Sequence, residues 1–133
     1  MKVDRGCLVA LAVGVSLSSL VVAQEKKIKR SDLPAAVEKT VANQSQGAEV
    51  RGFSEEKENG QKLYEAKMMV NGHTKDVLME GNGAIAEVEE QVATDSLPVA
   101  IRDGLQARAG QGTITKVESI TKHDKLVAYE AQV

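Results

Sequence analysis

Aromatic side chains are nearly missing from this chain. Its 133 residues hold no Trp, one Phe (Phe53) and two Tyr (Tyr64 and Tyr129). Any core must therefore be built from Val, Leu, Ile, Ala and Met. The exposed stacking platforms of single-stranded nucleic-acid grooves and carbohydrate sites are also excluded. Cysteine is equally scarce, with Cys7 alone in the chain. It lies in an N-terminal apolar stretch, and "DRGC" lacks the Leu and small residues that precede a lipid-modified cysteine. Without residues 1–23 no thiol remains, which rules out disulfides, cysteine nucleophiles and thiolate zinc sites together. Proline occurs twice, at Pro34 and Pro98.

The first 23 residues read as a processing signal. Lys2 and Arg5 supply a positive start, "CLVALAVGVSLSSLVVA" the apolar stretch, and Val21 and Ala23 the small residues before a cleavage after Ala23. A retained membrane anchor is the competing reading, but Gly14, Ser16, Ser18 and Ser19 interrupt a run that is only marginally long enough to span. The expected location is periplasmic or secreted, with no stable membrane span after cleavage. Removal of the signal changes the charge from −2 to −3 by taking away Lys2, Arg5 and Asp4. That balance provides no basic face for nucleic acid. The run "EKKIKR" within 24–30 reads as a basic, solvated leader.

Both prolines sit in Leu-Pro pairs, in "SDLPAAVEKTV" (31–41) and "DSLPVAIRDGL" (95–105). Leu33, Val37 and Val41 fall at helical spacing in the first, and Leu97, Ile101 and Leu105 repeat it in the second. A proline is tolerated in a helix's first turn, where its missing N–H would be unpaired anyway. The two pairs thus mark two helix starts. The parallel continues downstream: "LYEAKM" matches "AYEAQV", which aligns Tyr64 with Tyr129. Residues 31–92 are expected to form one helix followed by four antiparallel strands, and 95–133 a second, incomplete copy with one helix and two strands. The expected fold class is α+β, a tandem repeat (αββββ then truncated αββ) with helices packed on one face of an antiparallel sheet. "EEKENGQ" (55–61) reads as a charged turn and "NG" at 71–72 as a hairpin. The early stop of the second copy predicts an open strand edge, suited to homo-oligomer formation or to strand addition by a partner.

The "LP…V…I" helix, the "YEA" strand, the Asn-Gly hairpin and "MEGNGAIAEVEE" resemble PepSY-like domains, in particular the β-lactamase-inhibitor-like PepSY-like group of exported bacterial proteins. The resemblance implies a helix-backed antiparallel sheet acting as a binding or inhibitory surface, without catalysis and without a cofactor. It does not transfer a residue-level binding motif. The Asp usual before the turn of that strand pair is replaced, since Glu80-Gly81-Asn82-Gly83 stands there.

Few residues offer chemistry. His73 and His123 sit beside Asp76 and Asp124, but neither has a second His or Cys at ligand spacing. Glu80, Glu87, Glu89, Glu90 and Asp95 form an acidic patch that could hold calcium. Adjacent Glu89 and Glu90 must point to opposite faces of a strand. No nucleophile elbow or phosphate loop is present. Tyr64, Met68, Met69 and Tyr129 are the candidate partner-binding residues, with a core role as the alternative for each. The functional expectation is an exported, non-enzymatic binding module with a protein partner, a periplasmic hydrolase being the kind it would inhibit or modulate. A small metal- or ligand-binding protein and an envelope-associated, self-assembling repeat protein are the alternatives.

Overall fold

A computed structural model describes residues 8–12 and 24–133. The expected signal segment, 1–23, therefore lies outside the described residues except for 8–12. The order of elements is β1 (Leu8–Ala12), β2 (Gln24–Ile28), α1 (Ala35–Gln44), β3 (Glu49–Glu58), β4 (Gln61–Val70), β5 (His73–Glu80), β6 (Ile85–Val92), α2 (Val99–Ala109), β7 (Lys116–Lys122) and β8 (Lys125–Gln132).

All the described strands belong to one antiparallel sheet in the order β1-β8-β7-β6-β5-β4-β3-β2. This corrects the expected tandem repeat of helix-plus-strands units. The described residues are mostly one continuous sheet, with two short α-helices of 10 and 11 residues. Its ladder runs without a seam from β6 to β7, Val92 opposite Val117 and Glu89 opposite Ile120. In the full chain β1, which lies within the expected signal segment, pairs with β8; the open β8 edge is the expectation for the chain without residues 1–23. Two further segments account for much of the difference. Residues 24–28, read as a leader, are an edge strand hydrogen-bonded to β3, and their charged side chains are the kind that protect an edge from further pairing. Residues 55–58, read as turn, continue β3, so that only Asn59-Gly60 turns the chain. Both have positive φ, 50° and 78°, as a two-residue hairpin of this hand needs.

Among the described residues, the sheet has one covered and one uncovered face. Strand alternation and register put Phe53, Tyr64, Ala66, Met68, Val77, Met79, Val88, Val117, Tyr129 and Ala131 on the covered face. Helix α1 lays Val37 and Val41 on the first part of this set, against Tyr64, Ala66, Met68, Val77 and Met79. Leu97 and Leu105, before and within α2, pack on Val117 and Ala131. Each helix follows a Leu-Pro pair, and Pro34 and Pro98 are the N-cap residues. The β5–β6 turn is tied to α1: Thr40 Oγ1 donates to the Gly83 carbonyl at 2.7 Å. Arg30 closes the β2–α1 connection with a forked contact to Glu38 at 2.8–3.1 Å. Among the described residues, no helix is long and apolar enough to cross a membrane.

Candidate functional site: the uncovered carboxylate face

The face opposite the helices is built from the other half of each strand's alternation. Glu25 and Lys27 come from β2, Ser54 and Glu56 from β3, Leu63, Glu65 and Lys67 from β4, Asp76 and Leu78 from β5. Strands β6, β7 and β8 add Glu87 and Glu89, Lys116, Glu118, Ile120 and Lys122, and Glu130. Three apolar side chains, Leu63, Leu78 and Ile120, form a floor among these charges, and Leu63 and Ile120 are buried although no described helix covers them. Long charged side chains do the covering.

Register sets like charges directly opposite one another. Glu25 faces Glu56, Asp76 faces Glu89, and Glu118 faces Glu130. Such pairs destabilise a sheet. The face holds them together with few counter-charges. Lys67 Nζ lies 3.2 Å from Glu25 and 3.4 Å from Glu65, Lys122 lies 3.3 Å from Glu87, and Lys116 contacts Glu118. A cleft of about 80 Å³ at the centre is lined by Glu56, Glu65, Asp76, Leu78, Glu87 and Glu89. A second, of about 190 Å³, is lined by Glu58 and Asn59 from the β3–β4 tip and by Lys122 and His123 from the β7–β8 tip, which shows the sheet curling about this face.

Crowding changes the chemistry of these carboxyls. Burial, with a hydrogen bond to Glu56 next, raises Glu65 from 4.5 to about 7. Burial, followed by a hydrogen bond to Glu87, raises Glu89 to about 8. Asp76 rises to about 6, through burial and then the charge of Glu65, and Glu130 is raised chiefly by burial. Near neutral pH the face is therefore a set of carboxyl groups sharing protons among carboxylates. Arrangements of this kind accept cations: ammonium and guanidinium groups, or hard metal ions bound through oxygen.

Of the acidic residues singled out from the sequence, Glu87 and Glu89 are on this face. Glu80, at the end of β5, joins them opposite Leu63, whereas Glu90 points the other way and is exposed and Asp95 lies in the turn before α2. The expected partner-binding residues are not brought together. Tyr64 and Met68 are 8% and 1% exposed under α1, Tyr129 packs beside the α2 cluster, and Met69 alone of the four is on the uncovered face. His73 starts β5, and His123 occupies the β7–β8 turn with φ 47°. Glu25, Glu56 and Glu65 do not stand out in the sequence, and Asp76 does so only as a neighbour of His73. Alternation through 61–70 does reveal the face that Glu65 takes, whereas Glu25 and Glu56 lie in stretches that read as leader and turn.

No protein-family model matches this chain, and no curated protein matches it. Among solved structures, a Bacteroides thetaiotaomicron protein suggested to be periplasmic and calcium-regulated is similar, at 16% identity over 77% of this chain and 93% of that one, with a TM-score of 0.40.

Proposed function

We propose that this chain is an exported, non-catalytic binding module whose uncovered sheet face receives a protein surface rich in Lys and Arg. The observation that carries this reading is the set of like charges placed opposite one another on a face that no described helix covers. Opposite signs do face one another at Lys67–Asp76 and Glu87–Lys122, but three cross-strand pairs on this face set carboxylate against carboxylate. Here the repulsion is held in place, and incoming ammonium or guanidinium groups would relieve it while displacing protons from Glu65, Asp76 and Glu89. The apolar floor of Leu63, Leu78 and Ile120 adds area to the contact. Export is inferred from the composition of residues 1–23, and the PepSY-like resemblance makes a periplasmic hydrolase the kind of partner to try first.

A short lysine-rich peptide, with its glutamate-rich counterpart as control, tests the face. Backbone amide shifts should move at Glu65, Asp76, Glu89 and Glu118 with the lysine peptide alone, and salt should weaken the response. Shifts confined to the helix side, an equal response to both peptides, or no response would each overturn the reading.

A further inference from the structure

At the β2 end of the uncovered face three carboxylates converge from three strands. Oxygens of Glu25, Glu56 and Glu65 all lie within 4.8 Å of one another. An independent feature sits among them. Ser54 is 2% exposed, and its hydroxyl has no hydrogen-bond partner among the described residues. Register aims it into the cluster: it precedes Glu56 by two residues on the same face and stands opposite Glu65 on β4. A buried hydroxyl without a partner is costly, and a ligand seated between the carboxylates would give it one.

We propose that Glu25, Glu56, Glu65 and the Ser54 hydroxyl form a binding site for a hard divalent cation of the calcium or manganese kind. The donor set is all oxygen, which suits such ions and disfavours zinc and copper. Three carboxylates, each able to bind through one or both oxygens, together with the serine oxygen and water, can reach the coordination number calcium requires. The competitor is Lys67, whose ammonium lies 3.2 Å from Glu25 and 3.4 Å from Glu65. A cation entering the site takes its place, and Lys67 can then swing towards Asp76, the residue opposite it on β5. Glu65 is surrounded by Glu25, Lys27, Glu56, Lys67 and Asp76, with Glu87 and Glu89 lining the same cleft. The site does not depend on the protein partner proposed above.

The test titrates the 133-residue chain with Mn²⁺ while recording amide spectra, and with Ca²⁺ by calorimetry. Mn²⁺ should broaden Glu25, Ser54, Glu56 and Glu65 first, and Ca²⁺ should reverse the broadening. Glu56→Gln should weaken Ca²⁺ binding about tenfold or more and Ser54→Ala by about threefold, while Lys67→Met should tighten it. Lys67→Met removes a part-exposed ammonium with its ion pairs to Glu25 and Glu65 and no buried group, so it serves if a Glu56→Gln spectrum shows loss of the fold. Broadening centred on Asp76 and Glu89, broadening spread evenly over the face, or Ca²⁺ affinity unchanged by all three substitutions would overturn the site. If the lysine peptide binds and neither metal does, the cation site fails and the partner reading stands. If the metals bind and the peptide does not, the partner reading fails and the cation site stands.

Discussion

Glu65, Asp76 and Glu89 are half-buried carboxyls on a sheet face, and each holds its proton more tightly than a free carboxyl does. This fixes the sign of their contribution to stability. In each case the folded state binds more protons than the unfolded chain over the interval between the two values. The stabilisation is then complete below the ordinary values of 3.8 and 4.5 and is lost as pH rises through about 6, 7 and 8. Glu38, held below its ordinary value by Arg30, works in the opposite sense but only at lower pH. The urea midpoint should accordingly fall from about pH 5 to about pH 8. Glu89→Gln should raise the midpoint at the upper end and flatten the fall, leaving the lower end nearly unchanged. A midpoint that rises over this interval would contradict the assignment. Glu65 and Glu89 show their strand alternation plainly in the sequence. Their perturbation does not show there, because it depends on neighbours supplied by other strands.

At the scale of elements, the seat of α1 on the β5–β6 turn is the most constrained contact. Gly83 has φ +85°, and a Cβ there would lie 2.5 Å from the Ala36 carbonyl oxygen and 3.0 Å from Thr40 Oγ1. Backbone on one side and an unfavourable φ on the other leave no room to adjust. Gly83→Ala should cost about 2–4 kcal/mol in denaturant unfolding, against about 1 kcal/mol for Thr40→Val, which loses the hydroxyl's contacts with the Gly83 and Ala36 carbonyls. Equal, small losses would show that the turn is not pinned. Helix positions are legible in the sequence because Leu33, Val37 and Val41, and Leu97, Ile101 and Leu105, follow a helical period after a proline. The strand at 61–70 is legible from Tyr64, Ala66 and Met68. Other stretches are not. In 24–28 and 55–58, charged residues occupy both faces, so alternation gives no contrast, and pairing with β3 and β4 alone makes them strands. Composition does not separate a charged edge strand from a solvated leader.

For the molecule as a whole, what matters is the inequality of the two faces. Both helices cover the same side, and the short aliphatic core beneath them is what a chain with so few aromatics can build. The other side gathers carboxylates from β2 to β8 and leaves them to one another and to a few lysines. The internal matching of sequence segments suggests two units laid side by side. It carries no information that hydrogen bonding runs unbroken through β6 and β7, which makes one surface out of residues as distant in sequence as Glu25 and Glu130. The partner reading rests on that surface being crowded with carboxyls, and such crowding raises the pH at which they lose their protons. Site-by-site ¹³C titration of the Asp and Glu carboxyls measures this directly. Glu65 and Glu89 are predicted to turn over near 7 and 8, and Asp76 near 6. Turnover of all three close to the ordinary 3.8 and 4.5 would contradict that crowding.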